Sequence, residues 1–246
     1  MIHRYAGPVT LSGQVFETLG REIVAGTRPA GCVLRIEDLQ HEFGFSRTVI
    51  RDALSTLASL RLVNTRRRIG VTVEPPSAWN VFAPDVVRWR LSSDGGAEQI
   101  RSLIHLRSAI EPVAASLAAR QASTEVSSQL IQLSLEMRGH AEAADLDAFL
   151  VCDLQFHSLI LHSCGNEMFR ALNDPIAEAL RARHVQNLMP SRPRDIPVLL
   201  HMLVAAAINS GDAPAAESAM RQIVAEVQSV VSPGAAAGGS AGAPRG

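Results

Sequence analysis

Phe43-Gly44-Phe45-Ser46-Arg47-Thr48-Val49-Ile50-Arg51-Asp52-Ala53-Leu54 is the stretch on which the fold turns. Ser46 is placed to cap a helix, and Val49, Ile50, Ala53, Leu54, Leu57 and Leu60 then recur at helical spacing. Arg47, Thr48, Arg51 and Asp52 are left on the outward face. Just upstream, the spacing predicts a short helix over about 36–43 that meets this one through Gly44, and two helices about a glycine turn make a helix-turn-helix. An earlier helix is expected from Ser12 to Ala25, with Val15, Leu19, Ile23 and Val24 on one face and Gly26 as its stop. Downstream, Leu62-Val63 and Val71-Thr72-Val73 read as two short strands around Arg66-Arg67-Arg68-Ile69-Gly70, a hairpin with a cationic tip.

A helix that reads duplex DNA carries its cations near its N-terminus, where side chains and free backbone N–H groups meet phosphates and base edges together. Arg47 and Arg51, four apart, share such a face, with Thr48 between them. Arg can engage guanine through two donors, and Thr can contact a phosphate or a thymine methyl. A solvated face, with both arginines merely paired to nearby acids, is the alternative. Against it stands the order of features: glycine turn, capped helix, three arginines at the hairpin tip, and Gly70, whose missing side chain lets a wing approach a backbone. Charge agrees. The chain nets only −1, yet residues 1–75 hold ten arginines against seven acids, whereas the remainder is acidic on balance. Every cation is Arg and none is Lys, which the high Ala content ties to base composition rather than function.

With 246 residues and 47% apolar content, two domains are expected. A flexible N-terminus over 1–10 precedes a winged head over 11–75. Glu74-Pro75-Pro76-Ser77 then opens a linker with one short helix over 76–96. From there the pattern is almost wholly helical, with helices near 84–92, 97–121, 124–141, 145–164, 167–188, 195–210 and 213–231. The fold class is therefore mainly α: a winged helix-turn-helix followed, over 97–231, by an antiparallel bundle of six to seven helices. Residues 232–246, rich in Ser, Pro, Gly and Ala, are expected to be a disordered tail. No apolar run is long enough to span a membrane and no secretory signal is legible at Met1–Thr10, so a cytoplasmic protein is expected. Cys32, Cys152 and Cys164 form no metal or disulfide spacing and read as inert thiols.

The helical half holds one constellation with chemical content. Asp153 and His157, four apart, project from one helix face, and His201 lies on a later helix. A carboxylate and two imidazoles suit a divalent transition ion such as Zn²⁺, Ni²⁺ or Mn²⁺, although a single Asp-x3-His pair is more often a satisfied polar pair. Arg107 stands four before Glu111, which allows an ordinary intrahelical ion pair. His162 and His184 have no partner by spacing, and Gly165-Asn166 reads as a helix stop and a new cap.

Over residues 31–70 the first domain resembles the head of GntR-type regulators, through Gly31-Cys32-Val33-Leu34-Arg35-Ile36-Glu37-Asp38-Leu39, Phe43 to Leu54, and Leu62-Val63 through Gly70. The resemblance implies that Arg35, Ser46, Arg47, Thr48 and Arg51 meet operator DNA in the major groove, with Arg67, Arg68 and Gly70 of the wing at the minor groove. Over about 97–230, Glu111-Pro112, Leu117 to Arg120, Asp153-x2-Phe156-His157, Gly165-Asn166, and His201 followed by Ala207-Ile208-x2-Gly211-Asp212 resemble the FCD effector domain of the FadR-type branch. This implies a metal held by Asp153, His157 and His201, with Arg107 and those three residues binding a carboxylate effector, in a homodimer. The pattern's last His falls at Ile223 here, so three ligands remain and an open position is left. Trp79-Asn80-x4-Asp85-Val86-Val87-x-Trp89, an aromatic pair expected to pack between domains, resembles the post-wing segment of D-galactonate operon regulators. A sugar acid becomes the first effector to name, with regulation by repression. Two rivals remain open: a metalloenzyme built on Asp153, His157 and His201, and a regulator whose pocket is metal-free or takes an acyl-CoA.

Overall fold

Thr10 accepts a hydrogen bond from Gly13 N and so starts α1 (Leu11–Val24), whose Val15, Leu19 and Ile23 are buried on one face. The structure, a computed structural model, describes residues 10–66, 70–185 and 195–231. The expected flexible start at 1–10 apart from its last residue Thr10, the wing tip with Arg67 and Arg68, and the tail at 232–246 lie outside the described residues. The chain divides into two compact units, Met1–Ile100 and Arg101–Gly246.

In the first unit α2 (Ile36–Phe43) ends on Gly44, whose φ of 70° is the left-handed conformation that glycine adopts at least cost. After two residues α3 (Arg47–Ser59) begins, capped by Ser46 and burying Ile50, Ala53, Leu54 and Leu57. Two strands were expected, and the structure has a third. β1 (Val33–Leu34) pairs antiparallel with β3 (Gly70–Val73), which also pairs with β2 (Val63–Arg66), giving the order β1-β3-β2. A two-residue strand is too short to leave a periodic signal.

The segment after the wing is built into this unit. α4 (Pro84–Leu91) packs on α1, and Trp79, Ala83, Val86 and Trp89 join the core of the head. Both tryptophans, expected between domains, thus belong to the core of one. Gly20 of α1 makes this possible, because a Cβ there would stand 2.2 Å from the Trp89 ring. Glu17 completes the attachment, accepting from Arg88 at 2.8 and 3.0 Å and from Trp89 Nε1 at 3.0 Å.

Every regular element among the described residues of the second unit is a helix. α5 (Gly96–Gln121) continues past an internal proline, Pro112. It is followed by α6 (Thr124–Glu142), α7 (Leu146–Ser163), α8 (Glu167–Arg170), α9 (Asn173–Val185), α10 (Asp195–Ser210) and α11 (Ala213–Val231). The helix expected over 167–188 is therefore two. α8 is a single turn capped by Asn166, and a break at 171–172 separates it from α9. Gly165, at φ 68°, supplies the stop before that cap. α7 packs on α6 and α9, and α10 packs on α6 and α11. The shared core holds Ala114, Ala115 and Ala118 of α5 with Phe156, Ile160, Val204, Met220 and Ile223. No helix among the described residues is long and apolar enough to cross a membrane.

Candidate functional site

On the head, the described residues singled out from sequence, Arg35, Ser46, Arg47, Thr48, Arg51 and Gly70, are all exposed. Arg47, Thr48 and Arg51 stand on the outer face of α3, and Arg35 occupies the cap position of α2. Ser46 accepts from Val49 N at 3.5 Å. Arg47 comes only within 3.6 Å of Glu37, and both side chains are well exposed. A pair of that kind contributes little and yields easily to a phosphate. Gly70, at φ 108°, begins β3 opposite Arg66. Arg28 is different: it joins Glu22 and Glu42 at 2.5 Å each and serves to tie α1 to α2.

In the helical unit, five ionisable side chains are buried together: Arg107 and Glu111 of α5, Asp153 and His157 of α7, and His201 of α10, each at most 3% exposed. Charges are costly to bury unless they are paired, and these are. Arg107 donates through Nε and Nη2 to the two oxygens of Glu111, at 2.6 and 3.2 Å. His157 Nδ1 is 2.8 Å from Glu111 Oε2, and its Nε2 is 3.4 Å from Asp153 Oδ1, although neither contact has hydrogen-bond direction. His201 Nε2 lies 3.1 Å from the same Asp153 oxygen. Its Nδ1 is 2.6 Å from the Pro197 carbonyl, which can only accept, so Nδ1 carries a proton and Nε2 is the nitrogen that faces Asp153.

The electrostatics follow from this packing. Burial would raise the carboxyl of Glu111, but Arg107 and His157 outweigh it and hold it at about 2. Asp153, also opposed by burial, is pulled well below the usual carboxylate range by its two imidazoles. Burial would lower His157, yet Glu111 and Asp153 push it up to about 9. Two imidazole nitrogens thus face one ionised carboxylate oxygen, and one atom from each of Asp153, His157 and His201 falls within 4.8 Å of the others. A buried donor set of this composition, aimed at a common point, fits a divalent ion.

The structure therefore brings together Asp153, His157, His201 and Arg107. Ile223 is buried in the apolar core. The ion pair that spacing allowed between Arg107 and Glu111 forms, and Arg107 Nη1 remains buried without a hydrogen-bond partner. Glu111 is what residue spacing missed, because its second partner, His157, is on another helix. His184, expected to be alone, meets Asp147 at 2.8 Å for the same reason. His162 is held by the backbone oxygen of Ser158.

A winged helix-turn-helix with an exposed arginine face, on one chain with an all-helical unit that carries a buried acid–imidazole cluster, is the architecture of a transcription regulator. The family model for bacterial regulatory proteins of the gntR family matches residues 11–73, and that for the FCD domain matches residues 102–226. The chain belongs to the GntR family, in the branch that carries an FCD domain, and is a DNA-binding transcription regulator rather than an enzyme. The galactonate operon transcriptional repressor of Escherichia coli (strain K12) is 31% identical over 211 residues, covering 85% of this chain and 91% of that protein. The probable D-xylose utilization operon transcriptional repressor of Paenarthrobacter nicotinovorans is 26% identical over 222 residues, covering 88% and 86%. Among solved structures, Lar of Listeria monocytogenes matches with a TM-score of 0.56 over 91% of this chain and 97% of its own, at 16% identity, which speaks for the fold alone.

Proposed function

We propose that the protein is a cytoplasmic, homodimeric repressor of a carboxylate-catabolic operon, released from DNA by a small acid, with a sugar acid the first to test. The observation that carries the acid is the buried, unpaired Nη1 of Arg107 beside the Asp153–His157–His201 cluster. Two relatives are named as repressors of galactonate and D-xylose utilization operons, which supports a sugar-derived ligand.

In this reading the head over 11–75 docks α3 in the major groove, where Arg47, Thr48 and Arg51 reach base edges and phosphates. Arg35 and the cap at Ser46 hold the adjacent backbone, and the wing with Gly70, Arg67 and Arg68 meets the minor groove. Dimer symmetry matches two heads to the half-sites of a near-palindromic operator. The domain over 97–231 supplies the dimer contacts and the pocket.

Asp153, His157 and His201 would hold a divalent ion, Zn²⁺, Ni²⁺ or Mn²⁺, which would supply a positive centre for the acid's oxygens. Charge counting favours such a pairing. With no ion present, Arg107 and protonated His157 balance Glu111 and Asp153. An ion on neutral imidazoles displaces the His157 proton and leaves one net positive charge, which a monocarboxylate neutralises. Three protein ligands, with Ile223 where a fourth is expected, leave coordination open to that carboxylate. Binding releases the operator only if the acid favours the conformation in which the heads no longer fit the half-sites.

The test is a thermal-shift screen of sugar acids, lactate and acyl-CoAs against chelated and Zn²⁺-loaded protein, followed by operator binding to DNA adjoining its own gene. A sugar acid should raise the midpoint most in the loaded protein and weaken the DNA complex. An acyl-CoA acting alone in chelated protein would overturn the proposal.

A further inference from the structure

Glu111 touches both halves of the proposed site, the acid-binding arginine and the metal-binding histidine. Its side chain is 1% exposed. Oε2 alone lies 3.2 Å from Arg107 Nη2 and 2.8 Å from His157 Nδ1. Arg107 Nε takes Oε1 at 2.6 Å, so two of the three guanidinium nitrogens are committed and Nη1 is the one left over. On the other side, an ionised carboxylate can only accept, so the His157 proton it faces belongs on Nδ1. When an ion displaces the other proton, Nε2 is the nitrogen left to ligate, on the side of Asp153 and His201.

His201 solves the same problem with backbone. Its Nδ1 donates to the Pro197 carbonyl and its Nε2 turns to Asp153. The two imidazoles therefore present the same nitrogen to one point, one directed by a peptide oxygen and the other by Glu111.

We infer that Glu111 is a positioning residue that fixes the tautomer of His157 for a divalent ion and at the same time leaves Nη1 as the one guanidinium nitrogen of Arg107 without a partner, for the acid. The inference rests on the metal reading above and assigns the orienting role to a residue on a helix that supplies no ligand. Outer partners of this kind set ligand orientation and basicity, and their loss typically weakens metal binding by about 10–100-fold. A shared carboxylate also couples the two ligands: fixing His157 on an ion fixes Oε2, and with it the aim of Nη1. By linkage the acid then tightens the metal as much as the metal tightens the acid.

The alternative role for Glu111 is charge compensation alone, and the two are separable. Zn²⁺ binding to the full-length protein is measured by isothermal titration for wild type, Glu111→Gln and Asp153→Asn, with melting curves confirming that each is folded. Glu111→Gln should lose about 10–100-fold in Zn²⁺ affinity, and Asp153→Asn should lose more. Wild-type affinity in folded Glu111→Gln overturns the inference while leaving the metal reading in place. Failure of the wild type to take up Zn²⁺ refutes both. Should Glu111→Gln not fold, the wild type decides: ¹H–¹⁵N spectra of the Zn²⁺-loaded protein, assigned against His157→Gln, should show His157 protonated at Nδ1 and metal-bound at Nε2. The reverse pattern overturns the inference.

Discussion

Gly20→Ala should destabilise the head, although on helix propensity alone it should do the opposite. Alanine is favoured over glycine inside a helix by about 1 kcal/mol. Gly20 sits within α1, yet a Cβ added there falls 2.2 Å from Trp89 Cη2 and 2.5 Å from Cζ2 and Cζ3. Carbon atoms in contact sit at about 3.5–4.0 Å, so the ring must retreat by roughly 1.3 Å or more. Trp89 has little room to do so, being 2% exposed, 5.1 Å from the Phe16 ring centroid and bonded to Glu17. Overpacking of this kind costs about 1–3 kcal/mol, and complete ejection of the indole approaches the roughly 3–5 kcal/mol of a Trp→Ala change. Subtracting the propensity gain leaves a net loss of up to about 2 kcal/mol for overpacking and about 2–4 kcal/mol for ejection of the ring, so a loss of about 2 kcal/mol is expected, a fall of roughly 8–16 °C in the melting midpoint of a unit this size. The two tryptophans of the chain, Trp79 and Trp89, both belong to the head core, so intrinsic fluorescence reports this unit selectively. Trp89→Phe with Gly20→Ala should recover part of the loss, a coupling that independent sites do not show. An unchanged or raised midpoint for Gly20→Ala would refute the proposed seating of α4 on α1.

Other outcomes test the function and its supports. Arg51→Ala should weaken operator binding by about tenfold or more in fluorescence anisotropy while leaving the proposed dimer unchanged by sedimentation; unaltered affinity would remove α3 from the DNA. Glu17 gives a pH signature. Burial opposes its ionisation, but hydrogen bonds from Arg88, Arg21 and Trp89 prevail and hold it at about 2, below its ordinary 4.5. Its contribution is thus complete above about pH 4.5 and disappears as the pH falls through about 2. Glu17→Gln should melt lower than wild type at pH 7, and the gap should close in acid; a gap that persists at pH 2 would contradict the pairing.

Much of the head was legible in one dimension because its signals are local. A cap at Ser46, a left-handed glycine at 44 and apolar residues every three or four positions depend on neighbours within two turns, so α2 and α3 could be bounded closely. The break near 171–172 was not legible, since an amphipathic pattern continues across it and only packing reveals the interruption. The role of residues 79–89 was hidden as well: a Trp beside a linker does not disclose that a glycine 69 positions earlier makes room for its ring.

The sequence by itself determined that a capped, arginine-faced helix follows a tight turn, that a helical domain comes after it, and that Asp153 and His157 share a face. Those facts follow from residue type and helical period. Only tertiary structure decided that His201 arrives at the same carboxylate oxygen, that Arg107 keeps one unpaired nitrogen, and that Glu111 stands between guanidinium and imidazole. Direction and partner for a buried charge are set by side chains from other helices, at 46 positions' remove in the case of Glu111 and His157 and 48 in that of Asp153 and His201. Periodicity along one helix carries no record of that distance.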